Sequence, residues 1–314
     1  MHEVREFIVA EEDAGARCDV YLAGLIPEIS RSQIQRLIRS GLVTTGGRVV
    51  RKPGEAVVSG DCLRVEIERE ELRATPEALP LEIIYEDDDL VVVNKPAGMV
   101  VHVGAGVRSG TLVNALLHHI RTLSKVSGEL RPGIVHRLDR LTSGLVVVAK
   151  NDFTHRALAS QFKGREVRKT YLVLVHGRVA QDAGEISKPV GRDPVRRTRM
   201  KVGGIRPREA LTRYRVQRRF PHFTLLEAAP RTGRTHQIRV HFASLGHPIV
   251  GDTLYGAPGK LCFGGRELPT LTRTFLHAAT LEFRHPTKGE IIEVRAPLPV
   301  ELDEFAKHLA QADW

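Results

Sequence analysis

The chain has 314 residues, 42% of them apolar, with 47 Lys+Arg against 37 Asp+Glu, a net charge of +10 and a pI near 9.8. That length and apolar content support a sizeable core in more than one domain, and the positive balance favours a polyanionic partner, either nucleic acid or an acidic membrane face. No apolar run approaches the ~18 residues of a membrane-spanning helix, and Met1-His2-Glu3-Val4-Arg5-Glu6 lacks the basic segment and apolar core of a secretory signal, so a cytoplasmic protein is expected.

In chain order, residues 1–72 hold 10 Lys+Arg against 13 Asp+Glu, whereas residues 73–314 hold 37 against 24, so the polyanion should contact the second part most heavily. Ser30 is a candidate N-cap for a helix over Arg31 to Ser40. Ile34, Leu37 and Ile38 fall at i, i+3 and i+4 on its buried face, and Gly41 stops it. Arg31, Gln35 and Arg39 form a separate stripe flanked by Arg36; a solvated face is the ordinary reading of such a stripe taken alone. Leu42-Val43, a Gly46-Gly47 turn and Val49-Val50 follow the helix, and Asp61 to Ile67, alternating from Leu63, predicts a strand. Leu72 to Pro80 carries prolines at 76 and 80, which disfavour helix and strand alike and mark a linker. The expected division is therefore residues 1–71, a linker over 72–80, and residues 81–314.

The second part opens with two strands, Leu81 to Tyr85 and Leu90 to Val93, around the acidic turn Glu86-Asp87-Asp88-Asp89. Neighbouring strand residues point to opposite faces, so the three aspartates do not converge on one ion and no metal site is expected. The three cysteines, Cys18, Cys62 and Cys262, are odd in number and far apart, which indicates neither a disulfide framework nor a zinc site. After Asn94-Lys95-Pro96-Ala97-Gly98, the turn Gly104-Ala105-Gly106 lacks the Gly-Lys-Ser/Thr of a nucleotide-binding loop.

Residues 136 to 145, His-Arg-Leu-Asp-Arg-Leu-Thr-Ser-Gly-Leu, set Asp139 between Arg137 and Arg140 just ahead of the apolar run Leu145 to Ala149. In an extended segment Arg137 and Asp139 share a face while Leu138 turns to the core. Nearby positive charge favours the charged form of a carboxylate, leaving Asp139 available as a nucleophile; a surface Arg/Asp pair is the bland alternative. Lys169-Thr170-Tyr171 leads the apolar strand Leu172 to Val175 and puts an aromatic ring at its start. Arg192 to Arg219 holds 11 Lys+Arg against Asp193 and Glu209, and Arg196, Arg197 and Arg199 are its candidate phosphate contacts. Thr235 is the expected N-cap of a helix whose buried stripe is Ile238, Phe242 and Leu245, ended by Gly246 and Pro248. Arg239 borders that stripe, and an arginine held there needs an acid.

Two resemblances gather these pieces. Arg17-Cys18-Asp19-Val20-Tyr21-Leu22, Ser30-Arg31-Ser32-Gln33, Ile38-Arg39-Ser40-Gly41-Leu42-Val43 and Gly60-Asp61 resemble the S-four type RNA-binding domain over roughly residues 14–68, departing from it at Cys18 and at Thr45-Gly46-Gly47. The second part resembles the RluA/RluD-type RNA pseudouridine synthases. It does so through Val93-Asn94-Lys95-Pro96-Ala97-Gly98, the decapeptide around Asp139 with Val148-Ala149-Lys150, and Lys169-Thr170-Tyr171. Further on, Arg234-Thr235-His236-Gln237-Ile238-Arg239-Val240-His241, Leu245-Gly246-His247-Pro248-Ile249 and Gly251-Asp252 match in the same order. Leu141 and Val103 depart from the family pattern at positions without an implied role.

The resemblance implies an α+β fold: a catalytic domain with a mostly antiparallel mixed β-sheet flanked by helices, plus a small N-terminal α/β RNA-binding domain. It implies that Asp139 is the catalytic aspartate that detaches uracil from ribose, and that Arg137 enters the RNA helix as the base leaves. Tyr171 would stack on the target uracil and Arg239 would pair with the aspartate. Arg140, Arg234, Arg196, Arg197 and Arg199, with Arg31, Arg36 and Arg39 of the first part, are the expected RNA contacts. The implied substrate is RNA, above all large-subunit ribosomal RNA or a ribosomal assembly particle, handled by a monomer without cofactor, metal or membrane. A non-catalytic RNA-binding or ribosome-assembly factor on the same scaffold is the alternative; a nuclease or N-glycosidase would want paired carboxylates or metal ligands, which no local sequence pair suggests.

Overall fold

Apolar segments interrupted by caps and glycines fold locally as their sequences dictate. The computed structural model describes residues 2–68, 72–104, 106–196, 198–263, 266–267 and 269–311, which fall into two units, Met1–Glu71 and Leu72–Trp314. The first unit runs β1 (His2–Ile8), α1 (Cys18–Leu25), α2 (Arg31–Arg39), β2 (Val43–Thr45), β3 (Arg48–Val49) and β4 (Cys62–Glu68). Its strands form one antiparallel sheet in the order β1-β4-β2-β3. Ser30 and Gln33 cap α2 reciprocally: Gln33 Oε1 accepts from the Ser30 N–H at 2.8 Å and the Ser30 hydroxyl accepts from the Gln33 N–H. Ile34 and Ile38 of α2 join Leu22, Val43 and Val65 in the core.

The predicted basic stripe on α2 is only partly free. Asp19 of α1 is wholly buried, and it accepts from Arg17 at 3.0 Å, Arg31 at 3.0 Å and Gln35 at 2.6 Å. Burial alone would raise its carboxyl, but the hydrogen bonds from Arg17, Gln35 and Arg31 prevail and hold it down at about 2. Arg31 is thus an ion-pair partner, while Arg36 and Arg39 remain exposed.

The second unit adds β5 (Glu82–Glu86), β6 (Leu90–Lys95), α3 (Leu112–His119), β7 (Ser143–Ala149), α4 (Asp152–Gly164), β8 (Arg168–His176), β9 (Ala183–Ser187), β10 (Val190–Arg192), β11 (Met200–Val202), β12 (Ile205–Arg208), β13 (Leu211–Arg219), β14 (Phe223–Pro230) and α5 (Gln237–Ala243). After these come β15 (Cys262–Phe263), β16 (Arg266–Glu267), β17 (Leu276–Arg284), β18 (Ile291–Arg295) and α6 (Val300–Gln311). Nine strands make one mixed sheet in the order β5-β6-β7-β17-β8-β14-β13-β9, with β18 on β17. The β7/β17 pairing is parallel and the others are antiparallel. This is the α+β architecture expected from the sequence. The run Ser143 to Ala149 is buried throughout, as a central strand covered on both faces must be. Gly144 is required there: it has φ 117°, and a Cβ would lie 2.3 Å from the Ala278 carbonyl of β17.

Two expectations, the Thr235 cap and Leu245 in the buried stripe of α5, need correction. Residues 72–80 contain no helix or strand, as their prolines predict, and they are fastened to α3. Asn114 donates to the Thr75 carbonyl at 2.7 Å, the Glu77 N–H to the Asn114 carbonyl at 3.0 Å, and the His119 ring meets the Leu79 carbonyl at 2.8 Å. A segment without its own ladder must find such partners for its backbone. Thr235 does not cap α5: the helix starts later, behind His236, whose backbone is left-handed at φ 57° and offers no side-chain cap. Leu245 lies past the helix and is 40% exposed, because the chain turns at Gly246. The acidic turn behaves as the alternation predicted for Asp88, which is exposed, while Asp87 and Asp89 face His285. Asp87 already receives His285 at 2.7 Å, Lys288 at 2.9 Å and the Tyr85 hydroxyl at 2.7 Å.

Candidate active site

Asp139 opens a turn closed by the Thr142 N–H on its carbonyl at 3.1 Å, one residue before β7 begins. Two neighbours hold this segment. Leu138 is buried, and His136 accepts the Val147 N–H of β7 at 3.0 Å while its ring stacks on Phe162 of α4 at 4.5 Å. Burial, helped by the charge of Lys169, pushes the His136 imidazole down to about 3, so it is neutral and able to accept. From below, Lys95 reaches across with its ammonium to the carbonyls of Pro96 (2.7 Å), Met99 (2.9 Å) and Arg140 (3.4 Å). Burial first, and Arg273 second, push that amine down to about 7. Gly98 and Arg140 add a backbone bond of 2.8 Å and a bond from Arg140 Nε to the Gly98 carbonyl of 3.1 Å. The Asn94 to Gly98 motif therefore braces the turn that carries Asp139.

The Asp139 side chain lines a cleft of about 520 Å³ together with Arg137, Tyr171 and Arg239. Tyr171 comes from β8 and is 9% exposed; burial, then the charge of Asp139, push its phenol up, so the ring keeps its proton. Arg239 comes from α5, where it sits beside Ile238 and Phe242 in the buried face. Its Nε and Nη2 make two parallel bonds to Asp252 at 2.7 and 2.8 Å, and its Nη1 lies 3.3 Å from Asp139 Oδ2. Burial opposes the Arg239 charge, yet the bonds and charges of Asp252 and Asp139 outweigh it and raise its hold on the proton. Asp252 is 1% exposed and follows Gly251, where a Cβ would lie 2.0 Å from the Arg273 carbonyl.

The sequence expectation placed Arg239 on Asp139 alone; the structure puts Asp252 first. Asp252 was visible only as part of a motif, with nothing in its spacing to reveal a partner on α5. His236 was missed as well. Its Nε2 lies 3.8 Å from Asp139 Oδ2, and its Nδ1 lies 2.7 Å from the Tyr255 hydroxyl. Its one available signal was membership of the motif that carries Arg239.

The cleft is strongly basic. Arg137, Lys163, Arg165, Lys169, Arg231, Arg234 and Arg239 line it, and Asp139 is the single carboxylate among the lining residues. Arg165, at the end of α4, holds a left-handed backbone at φ 62°. Burial, then the charges of Arg208 and Arg165, lower the Arg234 guanidinium's hold on its proton, which marks a cluster of like charge along one wall. Arg234 also donates to the Glu209 carbonyl at 3.0 Å. Arg199 lies 5.0 Å over the Tyr255 ring, Arg196 is exposed nearby in sequence, and Arg197 lies outside the described residues. Arg31, Arg36 and Arg39 belong to the other unit.

The arrangement can present a carboxylate to a polyanionic ligand with one oxygen restrained and an aromatic face beside it. It offers no second carboxylate of the kind that hydrolytic sugar chemistry uses, since Asp252 is saturated by Arg239.

The sequence profile of RNA pseudouridylate synthases matches residues 89–244, and that of the S4 domain matches residues 17–62. An uncharacterized RNA pseudouridine synthase of Aquifex aeolicus is 48% identical over 302 residues, covering 94% of each chain. A ribosomal large subunit pseudouridine synthase D of Xanthomonas campestris pv. campestris is 43% identical over 314 residues, covering 98% of this chain and 93% of its own. Among solved structures, human RNA Pseudouridylate Synthase Domain Containing 1 aligns with a TM-score of 0.55 at 29% identity, over 75% of this chain and 97% of that one.

Proposed function

The chain belongs to the RNA pseudouridylate synthase family, and from that premise we propose that it isomerises uridines of large-subunit ribosomal RNA to pseudouridine with Asp139 as the nucleophile. The relatives named for the large ribosomal subunit support the substrate. The observation that carries the residue assignment is the placement of Asp139 as the lone carboxylate in a basic cleft, with Tyr171 beside it and Arg239 on one oxygen.

The reaction breaks the bond from ribose C1′ to N1, turns the uracil, and joins C1′ to C5; the C5 proton leaves and N1 gains one. Atoms and electrons balance within the nucleoside, so the chemistry calls for no cofactor, redox partner or metal. The Asp139 carboxylate opens the glycosidic bond through the sugar, by direct attack or after proton removal, and a covalent intermediate divides one hard step into easier ones. The uridine must first leave its stack, at a cost of a few kcal/mol that is smaller in loops. Arg137, exposed at the cleft, fills the vacated space, and the Tyr171 ring receives the base. Arg140, Arg234, Arg196 and Arg199, with Arg36 and Arg39 of residues 1–71, bind phosphates and orient the RNA without reading its sequence. Residues 81–314 carry the chemistry, residues 1–71 add RNA affinity, and the protein works as a cytoplasmic monomer.

The test is a comparison of wild type with Asp139→Asn on total RNA, mapping pseudouridine by a chemical adduct that stops reverse transcription. Wild type should add stops in large-subunit ribosomal RNA, and the variant should lose them by several orders of magnitude in rate while still binding RNA. Wild type that binds RNA but makes no pseudouridine would establish the non-catalytic alternative; an undiminished Asp139→Asn enzyme would remove the aspartate from the mechanism.

A further inference from the structure

The two oxygens of Asp139 are not equivalent. The hydrogen bond from Arg239 Nη1 falls on Oδ2 at 3.3 Å, and His236 Nε2 lies 3.8 Å from that same oxygen. We propose that His236, held in its Nε2–H tautomer by Tyr255, is a positioning residue that joins Arg239 in restraining Oδ2, so that Oδ1 is the oxygen that meets the ribose. This rests on the reading of Asp139 as the nucleophile.

The tautomer follows from hydrogen-bond accounting. Tyr255 is 5% exposed, and its oxygen accepts the Met200 N–H at 2.9 Å. A buried hydroxyl needs an acceptor for its own hydrogen, and His236 Nδ1 stands 2.7 Å away. With Nδ1 accepting, a neutral ring carries its proton on Nε2 and turns a donor toward Asp139. The ring is neutral because burial outweighs the attraction of Asp139 and lowers its hold on a second proton. Arg239, Asp252 and Arg137 are the other charges that act on it.

The support is rigid. Tyr255 lies under two guanidinium groups, Arg199 at 5.0 Å and Arg239 at 4.9 Å from its ring centre. His236 itself adopts φ 57°, a left-handed conformation rare for residues other than glycine although histidine tolerates it better than most. Such a conformation persists where its surroundings over-determine it, often at a functional site. The 3.8 Å separation exceeds hydrogen-bond length; catalytic contacts of this kind commonly tighten when substrate seats.

The test combines rates with spectroscopy on the full chain. His236→Leu should slow single-turnover pseudouridine formation by about 10- to 100-fold, the worth of a hydrogen bond to a charged group. Its half-saturating RNA concentration should stay within about twofold of wild type, because the interaction removed acts only in the reacting state. His236→Gln, whose amide nitrogen stands near the Nε2 position, should recover most of the rate, and Tyr255→Phe should lose less than the leucine variant. Nitrogen-15 spectra of histidine-labelled wild type, assigned by difference from His236→Gln, should show a neutral Nε2–H ring at about pH 7, with mixed tautomers in Tyr255→Phe. A wild-type ring protonated on Nδ1 overturns the proposal, as does a His236→Leu enzyme at full speed or a glutamine variant as slow as the leucine one. The spectrum decides the tautomer even for a protein that makes no pseudouridine, which separates this inference from the reading beneath it.

Discussion

Asp19 in the first unit and Arg239 in the second are both buried charges met by partners of opposite sign, and they are completed differently. Asp19 takes Arg17 across both oxygens and Arg31 with Gln35 on Oδ2, so both oxygens are engaged. Arg239 closes two bonds on Asp252 and leaves only a 3.3 Å contact for Asp139, whose side chain is 21% exposed. A carboxylate with both oxygens engaged can brace two helices; a carboxylate held by one edge can still react. The same ion-pair chemistry thus serves as a brace in residues 1–71 and as a mount in residues 72–314.

Acid should separate the two most widely. Burial depresses His136 to about 3 and His176 and His277 to about 4, all in the second unit, below the ordinary 6.5. Between those values the unfolded chain binds protons that the folded unit refuses. Stability is therefore complete above about pH 6.5 and falls as pH drops toward 3, by up to about 1.4 kcal/mol per pH unit for each such histidine. Asp19 runs the other way in range: its stabilisation is full above the ordinary 3.8 and is lost only as pH falls through about 2. Hydrogen exchange measured separately in each unit at about pH 7, 5 and 4 should show the second loosening first; simultaneous loss would dissolve the contrast.

Asp252→Asn comes next. It leaves the buried Arg239 without its charged partner and should cost about 3 kcal/mol in thermal unfolding, with turnover falling as Arg239 shifts toward Asp139. Asp19→Asn should cost less, about 2 kcal/mol, because Arg17 and Arg31 are half exposed and recover water; its turnover at saturating RNA should match wild type. A turnover defect there would mean that the first brace also serves the chemistry. Smallest is the effect of Arg196→Gln with Arg199→Gln. Each phosphate deprived of its arginine should flatten the logarithmic salt dependence of RNA binding by about 0.7, roughly 1.4 for the pair, and an unchanged slope would move the RNA path off this wall.

Local signals were readable in advance. The Ser30 cap, the Ile34/Ile38 face and the strand that follows Asp139 depend on near neighbours in sequence, and each forms where the pattern places it. What escaped depends on distance or on backbone conformation. The α5 start shifted because His236 is left-handed, which no propensity for Thr235 reveals. Asp252 reaches Arg239 from a turn, and His285 reaches Asp87 from 198 residues away. Nothing in the motif marks Lys95 as buried; its ammonium is held by three carbonyls, one of them 45 residues on.

The strand order carries a consequence for how the chain is made. β17, residues 276–284, lies between β7 and β8, residues 143–149 and 168–176. During synthesis those two strands emerge roughly a hundred residues or more before the one that separates them. Until it arrives, each presents an unpaired edge, open to pairing with other chains. The Arg273 bond to Ser143 and the Thr274 bond to the Leu141 carbonyl form only then, and they border the turn that carries Asp139. The nascent protein can therefore complete its first brace while still on the ribosome, but the turn that carries Asp139 gains these supports only after residues 273–284 have been translated.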